Sequence, residues 1–180
     1  MKREKVLRVT LFLILAELLL GGLAAALNRT LVEMPAWHHL GAGAWATFSR
    51  MADLGNGEIM YPLAGIGGTA SILAAAIAFR FSSRRPWSVA LPLYGAALMA
   101  VFGLLITTQA APIMLSLRRI GDDPAALRQA FEGFYRWDSI RAVFGALGYC
   151  AEIWALVALL SVPVGNQVPT HQNILSSEKS

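Results

Sequence analysis

Charge is what this chain has least of. Lys, Arg, Asp and Glu make up 14% of its 180 residues, against roughly a quarter in an ordinary soluble domain. The shortage is concentrated in four long apolar runs, which excludes a conventional soluble domain and points to a membrane protein. Cysteine is nearly missing as well. Cys150 stands alone, so no intramolecular disulfide can form and no CxxC pair exists for redox or zinc chemistry. Set inside an apolar run, it reads as a buried, inert thiol. There is no glycine-rich phosphate loop, nucleophile elbow or zinc motif. None of the three histidines, His38, His39 and His171, falls within an apolar run, which argues against a haem held between helices. Adjacent side chains on a helix point about 100° apart, so His38 and His39 are poorly placed to share one ion. No metal and no cofactor is expected.

Hydrophobic residues make up 56% of the chain and its net charge is +4. The basic residues flank the apolar runs, so they are read as topology markers rather than a nucleic-acid surface. The expected fold class is all-α: an integral membrane four-helix bundle with amphipathic connecting segments. The spans are placed at about residues 9–27, 59–79, 87–115 and 139–162, within one domain over 1–163, and 164–180 is read as a disordered cytoplasmic tail. Met1 to Arg8 followed by an apolar run resembles a secretory signal, and Ala24 to Ala26 would suit cleavage. Glu17 in the middle of the run, and its length of about 19 residues, favour a retained first span.

Between the first two runs, Trp37, Leu40, Ala44, Trp45, Phe48, Met51 and Ala52 recur near helical spacing, which predicts an amphipathic helix on the membrane surface or capping the bundle. Pro62 is placed in the first turn of the second span, where proline is tolerated. Pro92 and Pro112 are expected to bend the third. Asp122-Asp123-Pro124 signals a helix start. Leu127, Ala130, Phe131, Phe134 and Tyr135 then give an amphipathic face leading into Trp137.

Lysines and arginines divide eight to seven. Lys2, Arg3, Lys5, Arg8, Arg80, Arg84, Arg85 and Lys179 lie on the N-terminal side, and Arg29, Arg50, Arg118, Arg119, Arg128, Arg136 and Arg141 on the other. The dense N-terminus and the short arginine loop at 80–86 place both termini in the cytoplasm.

The last run carries a stripe. Arg141, Gly145, Gly148 and Glu152 stack on one helix face. Glu17 lies eleven residues before Asn28 and Glu152 eleven after Arg141, about 16 Å of helix. If Asn28 and Arg141 share the outer level, the two glutamates share a depth near the midplane. Tyr61 with Gly65 and Gly68 repeats the spacing, and Thr108 and Gln109 reach the outer level from the third span. Arg141, Glu152, Glu17, Asn28, Gln109 and Tyr61 are therefore the candidate lining of a narrow polar cavity. On one reading a glutamate serves as general base or proton relay and Arg141 holds an anionic or carbonyl group. On the other, the glutamates hydrogen-bond across helices as packing groups and Arg141 pairs with Asp138 at the interface. No catalytic residue is named.

Several segments resemble the anthrone-oxygenase-like family of small four-span membrane proteins. They are Met34-Pro35-Ala36, Asn56 to Gly68 (NGEIMYPLAGIGG), Ala111-Pro112 and Trp137-Asp138-Ser139-Ile140-Arg141-Ala142. The likeness covers most of 20–160. Trp137 and Arg141 match residue by residue. Asp138 and Ser139 stand where the family has Asn and His, and Ala110 and Met114 where it has asparagines. The resemblance implies a four-span fold and a cofactor-independent, oxygenase-like oxidoreductase acting on a small hydrophobic or carbonyl-containing molecule. The alternative is a non-enzymatic membrane accessory or assembly protein. The expected partners are the lipid bilayer, a small hydrophobic ligand, and either a further copy of the chain or another membrane protein.

Overall fold

The computed structural model describes residues 2–20, 23–82 and 85–161. The expected tail at 164–180, with His171 and Lys179, and Arg84 of the arginine loop lie outside the described residues. Those residues are all-helical, with no strand among them. The helices are α1 (Lys2–Leu20), α2 (Leu23–Asn28), a π-helical turn (Arg29–Glu33), α3 (Met34–Leu40), α4 (Ala42–Met51), α5 (Gly57–Arg80), α6 (Trp87–Ser116) and α7 (Pro124–Leu160).

Three of them, α5, α6 and α7, are long and apolar enough to cross a membrane. Their exposed side chains are those a lipid-facing surface requires, among them Leu63, Ile66, Leu91, Leu98, Leu105, Val143, Leu147 and Val157. The chain is a membrane protein. Its first apolar run is carried by α1 and α2, and neither of these is among the helices long and apolar enough to cross. Cys150 is exposed on α7, which corrects the expectation of a buried thiol: an apolar run in lipid does not bury each of its members against protein.

α6 and α7 pack along one another, α5 lies between α1 and α6, and α1 also touches α7. Pro62 sits further into α5 than expected, because the helix begins at Gly57. Pro92 and Pro112 both lie inside the single helix α6.

The largest departure from the sequence reading is α7. It runs unbroken for 37 residues, about 55 Å, against an apolar bilayer core of about 30 Å. Its start is the expected one: Asp123 caps the helix by accepting from the Ala125 N–H at 3.1 Å, and Pro124 occupies the first turn. The amphipathic segment and the fourth apolar run are thus one rod. The first third of that rod carries α4. Trp45, fully buried, packs its ring 5.3 Å from Phe131 and 5.5 Å from Phe134.

Two hydrophobic cores result. One lies among α1, α5, α6 and α7, built from Ile14, Ile72, Phe79, Val89, Leu93 and Leu159 with the alanines between them. The other is the cap, built from Met34, Trp37, Trp45, Met114, Leu117, Leu127, Phe131 and Phe134. Between them α6 has no buried residue from Leu98 to Gln109, and α7 none from Ser139 to Ala151.

Candidate functional site

Three polar assemblies are built on this frame. The first closes the cap over the bundle. Arg29, in the π-helical turn, donates from Nη1 to Asp53 Oδ1 at 3.0 Å and from Nη2 to Oδ2 at 3.2 Å. The side chains are 12% and 2% exposed. The guanidinium also lies 5.2 Å from the ring of Trp37, 5.3 Å from Phe134 and 5.6 Å from Tyr61, within cation–π reach of all three. Burial by itself would lower its pKa. The hydrogen bonds and charge of Asp53, with Asp138 and Tyr61 further off, outweigh burial and hold it above the ordinary arginine value. Asn28 joins this group by donating to Glu33 Oε1 at 2.7 Å, and Glu33 lies 3.8 Å from Arg29.

Arg50 performs a related task at the far end of α6. It donates to the carbonyls of Leu117 (3.1 Å), Ile120 (2.6 Å) and Gly121 (2.8 Å) and to Asp122 Oδ1 (2.8 Å). Those carbonyls have no helical partners of their own, so the guanidinium fixes the turn that leads into α7.

The second assembly is a carboxyl pair. Glu17 of α1 and Glu152 of α7 are both buried, and their carboxyls lie within hydrogen-bonding reach of one another.

The third is a groove of about 540 Å³ between α3 and α7. It is lined by Thr30, Met34, Pro35, His38, His39, Tyr135, Asp138, Ser139, Ala142, Val143 and Ala146. One wall comes from the start of α3, where Pro35 in the first turn needs no N–H partner. The other is a face of α7 whose members fall at i, i+3, i+4, i+7, i+8 and i+11 from Tyr135. Polar groups gather toward the cap and small apolar ones toward the membrane. Asp138, 3% exposed, is paired with Arg141 one turn on. His38 stands edge-on to Tyr135 at 4.3 Å and to Phe131 at 5.2 Å. No group of three or more potential metal ligands occurs among the described residues. A second depression, of about 460 Å³, is formed by one exposed face of α7 from Pro124 to Glu132. With a single helix for a wall, it encloses nothing.

The six residues singled out from the sequence therefore fall into separate places. Glu17 and Glu152 meet. Asn28 and Tyr61 border the Arg29–Asp53 group. Arg141 is engaged by Asp138 below the groove. Gln109 is exposed on α6, its amide 3.4 Å from the Thr108 hydroxyl. What sequence reasoning missed is Arg29 with Asp53, which lie 24 residues apart, and the meeting of His38 and His39 with Asp138 and Ser139. Charged loop residues carry no periodicity to reveal a partner. The groove had a trace in the sequence, however: Met34-Pro35 and Asp138-Ser139-Ala142 were already marked as motif segments. In comparisons with known proteins, the chain matches no family model, no curated protein and no solved structure.

Proposed function

We propose that this protein binds a small hydrophobic molecule bearing a carbonyl or similar polar group, in the groove between α3 and α7. The observation that carries this reading is the groove's two-ended chemistry. Thr30, His38, His39, Asp138 and Ser139 offer donors and acceptors at one end, while Ala142, Val143 and Ala146 offer small apolar surface at the other. Ligand sites of this size usually pair apolar walls with a few polar groups that fix orientation. A molecule entering from the bilayer would leave its apolar part along α7 and place its polar end against the imidazoles.

We further propose that the chain is a member of the anthrone-oxygenase-like family and a four-span bundle of a bacterial inner membrane, with both termini cytoplasmic. Two of the motif segments that carry the resemblance meet at the groove, which supports this. The chemistry that the resemblance implies is oxidation of the bound molecule by dioxygen, without a cofactor. Asp138 and Ser139 replace the family's Asn and His, yet His38 and His39 bring imidazoles to the same groove from α3. The alternative, an accessory membrane protein, is favoured if the groove proves empty.

The test is mass spectrometry of small molecules retained after mild detergent extraction, on wild type and Ala142→Trp. A retained compound lost in the variant, at unchanged helix content, is the expected result. No retained compound in either protein would reject the binding reading.

A further inference from the structure

Two acids meet inside the bundle, and none of the described residues sets a cation beside them. Glu17 is 7% exposed and Glu152 2%, and their carboxyls lie within hydrogen-bonding reach of one another. An ionised carboxylate only accepts, so a carboxyl–carboxyl hydrogen bond requires a proton on one of the two. The described arginines that come nearest in sequence are engaged elsewhere: Arg8 with Glu4, Arg29 with Asp53, Arg141 with Asp138. The helices packed around the pair supply no countercharge. α2 and α6 contain no charged residue, and α5 has only Glu58 and Arg80 near its ends. Their other titratable groups are Tyr61 on α5 and Tyr94 on α6. On α7, the Tyr149 phenol lies within electrostatic reach of both glutamates.

A second observation bears on what the pair holds. Glu17 Oε2 and Glu152 Oε1 are each buried without a hydrogen-bond partner. A buried lone pair without a donor is a net cost, so these two oxygens are positions that a water or hydroxyl can meet. Ionisable groups at such depth characteristically mark proton or ion paths.

We propose that Glu17 and Glu152 form an intramembrane proton-binding site. The pair holds one exchangeable proton between its inner oxygens, and the two unpartnered oxygens are where water or a hydroxyl delivers and removes it. No covalent bond other than O–H is made or broken. The proposal is independent of the groove and of any ligand there.

The full-length protein in lipid nanodiscs at neutral pH provides the test, read by infrared spectroscopy in ordinary and heavy water. A protonated-carboxyl carbonyl band that shifts on transfer to heavy water is expected in wild type. Either Glu17→Gln or Glu152→Gln alone should shift the band, because the remaining buried carboxyl keeps its proton beside a neutral amide, and the two substitutions together should remove it. Dicyclohexylcarbodiimide, which attacks protonated carboxyls in apolar surroundings, should label wild type at Glu17 or Glu152 by peptide mass spectrometry. That measurement stands even if a variant fails to fold. Absence of both band and label, or a band that survives both substitutions, would overturn the proposal. So would loss of the band on adding sodium or potassium chloride at fixed pH, which would make the pair a cation site instead.

Discussion

Arg29 spreads its guanidinium before three rings while Asp53 takes two of its N–H groups. A buried ion pair of this kind adds little over an apolar replacement, but removing one partner strands the other, at about 3–5 kcal/mol. Asp53→Ala should therefore lower the unfolding free energy in detergent by that order, read from chemical unfolding followed by tryptophan fluorescence. Arg29→Lys keeps the charge and loses the planar fork, so it should fall between wild type and Asp53→Ala. Arg141 offers the contrast. Its side chain is 35% exposed and its partner Asp138 lies one turn away on the same helix. Lysine at 141 still reaches that carboxylate, so Arg141→Lys should cost less than about 1 kcal/mol and leave ligand retention intact. A loss of retention in Arg141→Lys would place the guanidinium in the binding site itself.

Among the elements, the hinge between α3 and α4 depends on one residue. Gly41 has φ 90° and ψ 168°, a region open essentially to glycine alone, where another residue costs about 1–3 kcal/mol. Gly41→Ala should destabilise the cap by that amount. Gly43→Ala, two residues on inside α4, meets nothing within 4 Å and should stabilise by roughly 0.5–1 kcal/mol through helix propensity. Equal effects at the two positions in the same unfolding assay would contradict this account. The elements were unequally legible in the sequence. Apolar runs disclosed α5 and α6 because lipid demands continuous apolar length, and the recurrence of Trp37, Trp45 and Phe48 disclosed that the first loop is helical. The continuity of α7 was harder to see, since its first third is polar on one side and so resembled a loop. From Pro124 to Pro163 there is no other proline to stop it, and that was the signal available. Equal eleven-residue spacings suggested a common depth for Glu17 and Glu152, and both are buried, on α1 and α7. Partners brought together by loops, such as Arg29 with Asp53 or Arg50 with the Leu117 carbonyl, follow no such spacing.

For the whole molecule, orientation is open to a direct measurement. With Cys150 first replaced by Ala, a single cysteine at Asn56 or at Arg85, both exposed, reports on either end of α5. Labelling of Asn56→Cys from outside intact cells, with Arg85→Cys silent, is expected if the termini are cytoplasmic. The reverse pattern would invert the topology. The gap between the two cores bears on how the fold responds to its surroundings. Along α6 from Leu98 to Gln109 and along α7 from Ser139 to Ala151 no side chain is buried by protein, so what finishes this waist is the surrounding amphiphile. Acyl chains lying against Phe102, Leu105, Val143 and Leu147 act there as a borrowed core. Shortening the alkyl chain of the detergent should therefore loosen the waist before either end, with faster amide exchange in mid-α6 and mid-α7 while the cap around Trp45 stays protected.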